Sequence, residues 1–415
     1  LANEINLARD PYAPNFRLLV NGDELPKSIS KFIGAVEYED NANMCDKLSF
    51  TVGSQMVVEG SQIMTMLDQK IFTEGNLIEV EMGYGSKLSP VGAGEVVKIK
   101  PSFPRDGLPS LQIEAYDISH RMIDSKPEKG ISYKNFRDSQ IASIIGERNG
   151  IYIAKSDPST FEYIRKTEGV HDRFQEKNKN DYEFLKKIAD FNSYDFYVRY
   201  MKVAGTKRWV LFFRPSDKKQ EPIYTYTYNM SEKFLWNTLL DFNPDLNTKD
   251  QKLEFEVTSF NKKEGKKVKT VTRDVNKKFT YNEGSKEYSF KEKEERQFKG
   301  TDKYKPIKKE VRNPGQIKFK AFGVSREIIA NEPVRDEKDA ERIIQKWMQA
   351  RKDNFVTGPA SVVGTEFLQS RQVHRFEGIG KGLSGNYFFT KVLHKMDVSG
   401  SPVYECSVDC SKVVD

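Results

Sequence analysis

The sequence predicts a mainly β protein carrying an α+β insert. Three observations lead there. Short alternating apolar segments recur between residues 15 and 116, with turn residues about every ten positions. Helix-period patterns replace them between residues 121 and 215. After that the β pattern resumes, and the chain closes on an amphipathic helix followed by a Gly-rich run of strands.

The first region opens with a polar, Pro-containing arm over residues 1–14. Phe16–Val20 then has strand character, and Asn21-Gly22-Asp23 supplies a turn with residues suited to positive φ. Ile33–Tyr38, Leu48–Val52, Leu77–Met82, Gly94–Ile99 and Leu111–Ala115 complete about six strands of a small antiparallel barrel or sandwich. Met56–Leu67 fits a loop or a short helix equally well.

In the insert, Ile141, Ile144 and Ile145 share one face of a helix over Asp138–Arg148, and Asn149-Gly150 stops it. Ile151–Ala154 is expected as a short strand. Asn180-Asp181 caps a second helix whose inner face carries Phe184, Leu185 and Ile188. Phe196–Tyr200 and Arg208–Phe213 form a hairpin over Ala204-Gly205-Thr206.

Beyond Pro215, Tyr224, Tyr226 and Tyr228 alternate with threonines. Leu253, Phe255 and Val257 alternate with Glu254, Glu256 and Thr258, which predicts one buried and one wet face. Ile317–Phe322 is expected as a strand. Ala340, Ile343, Ile344 and Trp347 fall on one face of a helix over 336–352, with Asp336 as its cap. The last stretch, Val356–Asp409, is expected as an antiparallel meander.

Composition limits the function classes. The chain has 415 residues, enough for two to four domains at about 100–200 residues each. Apolar content is 37% and charged content 31%, while 12% aromatic residues argue for folded cores rather than disorder. No apolar run approaches the roughly 20 residues that cross a bilayer, and membrane insertion by this chain is not expected. The opening LANEINLARDPYAP is not a secretory signal, and the missing initiating Met fits a trimmed leader.

Charge is localised. Residues 261–312 carry 18 Lys and Arg against 9 Asp and Glu, an excess of nine, whereas the whole chain carries +7. The remainder is therefore about −2, and the basic segment is expected as solvated hairpin tips, with a polyanion contact as the rival reading.

Chemistry-bearing motifs are missing. The sequence contains no GxxxxGK[ST], GxSxG, HExxH or paired CxxC. Gly378-Ile379-Gly380-Lys381-Gly382 lies between strands instead of opening a helix, so it is a hairpin loop and not a phosphate cradle. Cys45, Cys406 and Cys410 are too few and scattered for a disulfide framework or a zinc site. His120, His171, His374 and His394 are expected to be structural, and Trp209, Trp236 and Trp347 to be core residues. No carboxylate pair stands out for glycoside hydrolysis.

Four stretches taken together resemble the late control gene D family, the baseplate hubs of contractile phage tails, and the hub half of the VgrG spike proteins of injection systems. They are EGNLIEVEMGYG (Glu74–Gly85), GEVVKIKP (Gly94–Pro101), NDYEFLKKIA (Asn180–Ala189) downstream of Asp138–Ile151, and GNYFFTKVLHKMD (Gly385–Asp397). Each is weak alone; their order and spacing, over most of residues 15–410, carry the likeness.

The resemblance implies two tail-tube-like antiparallel β-barrels plus a small α/β domain. The first barrel spans 15–120 and is completed by 216–245; the α/β domain spans 121–215. The second barrel spans 246–410, with the charged insertion 261–312 and the helix 336–352. It implies a homotrimeric ring adapting a sixfold tube to a trimeric spike, sited in the virion baseplate or an injection particle assembled in the host cytoplasm. The implied partners are the tail tube protein, a spike protein, other baseplate components and, as a further candidate, the tape measure protein. No catalytic, cofactor-binding or metal-ligating residue is implied, and no cofactor. Two departures stand out: the sequence ends after the second barrel, which implies a separate spike chain, and 261–312 is longer than expected. The rival functions are a cell-wall-degrading tail enzyme and a nucleic-acid-binding protein using 261–312.

Overall fold

In the computed structural model the described residues are 3–4, 13–53, 56–57, 60–61, 71–154, 163–228, 238–261, 266–273, 279–282, 287–290, 318, 322–323, 325–330, 337–400 and 402–414. They form two compact units. One comprises 1–243 and 359–410; the other comprises 244–358 and 411–415.

The first unit is built on antiparallel strands whose side chains alternate between core and surface. They are β1 (Pro14–Val20), β2 (Ile33–Asn41), β3 (Lys47–Gly53), β4 (Leu77–Tyr84), β5 (Lys87–Ser102) and β6 (Ser110–Tyr116). β3 and β6 show the period-two pattern most plainly: Leu48, Phe50 and Val52 are buried, as are Leu111, Ile113 and Ala115. The order across this part of the sheet is β2-β3-β6-β5-β4-β1. Bulges interrupt β2 against β3, β4 against β5 and β5 against β6, which lets the sheet bend. Of Met56–Leu67, residues 56–57 and 60–61 pair with each other; 62–67 lie outside the described residues.

Gly92 in β5 is glycine for a packing reason. A Cβ built there falls 2.0 Å from Cζ of Tyr38, so the β2 tyrosine crosses β5 where only a hydrogen fits. Gly92→Ala is expected to displace that ring and to cost about 1–3 kcal/mol by overpacking, measured as a lower urea midpoint.

The α/β module follows. It contains α1 (His120–Asp124), β7 (Ile131–Phe136), α2 (Asp138–Arg148), β8 (His171–Gln175), α3 (Asp181–Asn192), β9 (Tyr194–Val203) and β10 (Thr206–Pro215). Gly150, at φ +75°, takes the left-handed position after α2, as the Asn-Gly stop predicts. Asn180 caps α3 by accepting from the Glu183 N–H at 2.7 Å. The β9–β10 hairpin turns through Ala204 and Gly205, both at positive φ. Two features differ from expectation. Ile151–Ala154 is not a strand, because Tyr152 alone bridges to Val210. The antiparallel pair β7–β8, whose strands flank α2 in the chain, has too little alternation in ISYKNF and HDRFQ to be recognised from sequence.

The chain then returns to the sheet. β11 (Tyr224–Thr227) pairs in parallel with β15 (Val373–Glu377), and residues 3–4 pair in parallel with β11. β12 (Leu239–Phe242) pairs with Ala360–Val362, and β13 (Asp245–Leu246) pairs with Val356–Thr357. Residues 216–245, expected to complete the first barrel, thus contribute strands that hydrogen-bond to the closing region, because β11 finds its parallel neighbour there.

β14 (Val356–Val363), β15, β16 (Gly385–Asp397) and β17 (Val403–Lys412) close the chain. β15, β16 and β17 form a meander, but β14 joins beyond β17, so the full stretch is not the simple meander expected. β16 is the organising element. Its residues 385–388 pair with β15, and its residues 391–397 pair with β2. One thirteen-residue strand therefore joins the closing strands to the opening ones. Around it Tyr226, Phe376, Tyr387 and Phe389 are fully buried and make close ring contacts.

The second unit contains β18 (Glu254–Asn261), β19 (Lys266–Arg273), β20 (Arg326–Ile329) and α4 (Glu337–Asp353). β19 pairs antiparallel and β20 parallel with β18. The buried face of α4 (Ala340, Ile343, Ile344 and Met348) packs with Phe255, Val257 and Ile329. The alternation in β18 does not leave Glu256 wet. It is buried, and Lys269 and Arg326 pair with it. Ile317–Phe322 is not a strand at its described positions, since Lys318 and Phe322 are helical; the strand lies at β20. Asp336 and Trp236 lie outside the described residues. Within 261–312 the described parts are β hairpin arms: Phe279–Asn282 pairs with Glu287–Phe290, and β19 returns along β18.

Candidate functional site

The sequence places an acidic residue in phase with a buried row. Val36, Tyr38 and Asp40 are successive inward positions of β2, and all three are buried. A carboxylate there needs partners, because an isolated buried charge is costly. They come from distant chain segments. Arg199 of β9 donates Nη2–H to Asp40 Oδ2 at 2.6 Å and Nη1–H to Asp46 Oδ2 at 3.0 Å. Ser370 donates its backbone N–H to Asp40 Oδ2 at 3.1 Å and its hydroxyl to Asp40 Oδ1. Arg371 donates Nη1–H to Ser370 Oγ at 2.6 Å and Nη2–H to the Asn41 carbonyl at 2.9 Å. It holds φ +67°, a left-handed conformation that a non-glycine residue adopts at some cost.

Asp46 extends the network. It accepts from the Tyr38 hydroxyl at 3.0 Å and the Asn41 N–H at 2.9 Å, while its own N–H donates to Asp117 at 2.6 Å. The Tyr197 ring lies under Arg371 at 4.3 Å and stacks on Phe212 at 4.6 Å. Burial alone pushes the Asp40 carboxyl up, but Arg199, Arg371 and Ser370 outweigh it and hold it below its ordinary value. Asp46 goes the other way: burial and the Asp40 charge raise it well above the usual carboxylate range. Burial works against the Arg199 guanidinium, and Asp40 and Asp46 more than restore its charge.

A similar pattern recurs inside the α/β module. Asp181, the first residue of α3, is fully buried and takes a bidentate bond from Arg148, with further donors from Asn149 and Gln175. Asp138, the first residue of α2, is bound by Arg173 at 2.7 and 2.9 Å and by Asn192 at 2.7 Å. Both carboxylates also sit at helix N-termini, where the helix dipole favours them.

These carboxylates are saturated, and saturation suits a scaffold. A general acid or nucleophile needs an open face toward substrate; Asp40, Asp46, Asp138 and Asp181 are all buried. Among the described residues no cluster of His, Cys, Asp or Glu has metal-binding geometry, and no helix is long and apolar enough to cross a membrane.

The histidines and cysteines are dispersed. His394 of β16 is buried, with Nε2–H donating to the Leu368 carbonyl and Nδ1 accepting from Tyr404, both at 2.8 Å. Cys406 Sγ lies 3.4 Å from that Nδ1, and burial pushes its thiol up to about 12, so it is not a reactive thiolate. His374 is buried among Tyr224, Tyr226 and Phe389. His120 contacts the Asp117 carbonyl, and His171 meets the Phe191 ring edge-on. Cys410 is buried and Cys45 half-buried beside Ser119. Trp209 packs against the module core and Trp347 against the second-unit core. What sequence reasoning missed is the ionic junction itself.

The fold is that of phage tail proteins. It matches the tail protein of Neisseria meningitidis MC58 with a TM-score of 0.62 over 97% of both chains, at 11% identity. The 43 kDa tail protein of prophage MuSo2 from Shewanella oneidensis matches with a TM-score of 0.60 over 96% of this chain and 98% of that one, at 12% identity. Prophage tail protein gp18 from Listeria monocytogenes EGD-e gives 0.50, at 11% identity, over 97% and 95%. No curated protein matches the sequence. The profile of the family described as Alg8 N-terminal domain matches residues 12–297, more than half of the chain. The chain belongs to that family.

Proposed function

We propose that this chain is a structural hub of a contractile phage tail or a phage-tail-like injection system, and not an enzyme. The observation that carries the reading is β16, a single strand that hydrogen-bonds one set of antiparallel strands to another. A chain offering two linked strand sets suits a ring in which three copies imitate a sixfold tube. Likeness over nearly the whole length to tail proteins supports the same reading. In this proposal the tube-like barrels occupy 15–120, completed by 216–245, and 246–410, and the α/β domain occupies 121–215. The chain works as a homotrimer in the virion baseplate or injection particle, assembled in the host cytoplasm. Its partners are the tail tube protein, a trimeric spike chain and other baseplate components, with the tape measure protein as a further candidate. The basic segment 261–312 touches one of these peripheral components.

The test is assembly with partners. Co-expressed with tube and spike proteins of the same particle, the chain is expected to copurify with both and to leave peptidoglycan turbidity unchanged. Clearing of peptidoglycan by the purified chain, with no copurification, contradicts the reading. Deletion of 261–312 is expected to weaken the peripheral contact while the tube and spike contacts persist.

A further inference from the structure

We propose that the α/β module is a latched unit that undocks from the sheet without unfolding, with the Arg199 bridge as its latch. Two independent features of the first unit lead there. The first is the module's core. Among the described residues, every buried apolar residue between Ile118 and Phe213 belongs to one of two clusters, and neither cluster contains a described residue from outside that range. Met122, Ile145, Leu185, Phe196, Leu211 and Phe213 bury one another and need nothing from the sheet.

The second is the chemistry of the seam, which is mostly polar, with the module's Tyr197 ring under the sheet's Arg371 as an aromatic contact. Arg199 reaches Asp40 and Asp46. Arg121 forms a bidentate pair with Glu95 at 2.7 and 2.9 Å. Lys207 donates to Glu79 at 2.5 Å. Tyr182 donates its hydroxyl to the Asn43 carbonyl at 3.1 Å. In all of these the donor is on the module and the acceptor on the sheet. Such a seam fixes one docked orientation, because each cation must meet its own carboxylate, yet it adds little hydrophobic adhesion. The exposed bridges of Arg121 and Lys207 are weak. The Arg199 bridge is buried, so it is strong when made and has to be broken as a whole. A self-contained core behind a specific polar seam is the construction expected of a unit that moves as a rigid body.

The test is native-state hydrogen exchange, read by mass spectrometry on the full chain in rising sub-denaturing urea. Three sheet-side amides on the carboxylates beside the latch report it, because undocking uncovers them to solvent while their acceptors stay in place: Asp46 N–H on Asp117, Asn41 N–H on Asp46 and Ser370 N–H on Asp40. They are expected to exchange at least tenfold faster than amides of α2, α3 and the β9–β10 hairpin. Those in turn are expected to open in a step separate from the β2–β16 ladder. In Arg199→Met the seam amides are expected to speed up at least a further tenfold while α3 is unchanged. A single step in which seam, α3 and β2 amides open together overturns the proposal, as does an Arg199→Met chain whose seam exchange is unaltered or whose α3 accelerates equally. Should Arg199→Met fail to fold, the wild-type urea series decides alone.

Discussion

Asp40→Ala is expected to lower the unfolding free energy by about 3–5 kcal/mol, the range for removing one partner of a buried ion pair. The magnitude follows from what is left behind. Arg199 loses its 2.6 Å bond and keeps the one to Asp46, while Arg371 loses its 3.4 Å ion pair with Asp40 and keeps Ser370 and a backbone carbonyl as hydrogen-bond acceptors. Two guanidiniums then sit in a site whose remaining carboxyls, Asp46 and Asp117, are both biased toward protonation by burial. Asp40→Asn keeps the shape and most of the acceptor capacity, so it is expected to cost less than the alanine. Urea unfolding at neutral pH orders the three proteins. Equal midpoints for wild type and Asp40→Ala contradict the structural role given to the junction.

The second large effect is on acid stability. His394 and His374 are buried and neutral; burial lowers their pKa values to about 4 and about 3, against about 6.5 in the unfolded chain. Above pH 6.5 neither state binds protons at these rings, and they leave stability independent of pH. Below it the unfolded chain takes up protons first, so stability falls by about 1.4 kcal/mol per pH unit for each ring until its folded value is reached. Asp46 and Asp117, raised in the fold by burial, act in the opposite sense, since the folded state protonates before the unfolded one. The histidine contribution is therefore best read as a difference. His394→Gln keeps a donor for Leu368 and an acceptor for Tyr404, and is expected to flatten the fall between pH 6 and pH 4.5 by about 1.4 kcal/mol per unit. An unchanged slope, measured by urea unfolding at several pH values, contradicts a neutral buried His394.

Much of the fold is legible in the sequence where the cause is local. The alternation of Leu48, Phe50 and Val52 gives β3, Asn180 gives the start of α3, and Ala204-Gly205 gives a hairpin. Pairing partners are a different matter. Alternation tells which residues of β16 face inward, but not that its first part meets β15 and its second part β2, some 350 residues earlier. The same limit hides the parallel pairing of β11, because a threonine-tyrosine alternation suits either direction. IKFKAF alternates as well as REII does, and period two alone does not choose between them, so the sequence does not reveal that Lys318 and Phe322 are helical.

The junction had one local signal, Asp40 in phase with Val36 and Tyr38 on an otherwise apolar inward row. Its partners Arg199 and Arg371 lie about 160 and 330 residues away and follow no spacing rule. Glu256 repeats the lesson: read as the wet face of β18, it is buried because Lys269 and Arg326 are positioned to neutralise it.

The proposed trimeric hub has a direct test. The direct measurement is the mass of the purified chain by light scattering across a concentration series, with and without the spike protein. A species of about 143 kDa, three times the 47.8 kDa chain, is the predicted result, alone or on spike addition. A 47.8 kDa monomer at every concentration, unchanged by the spike, contradicts it.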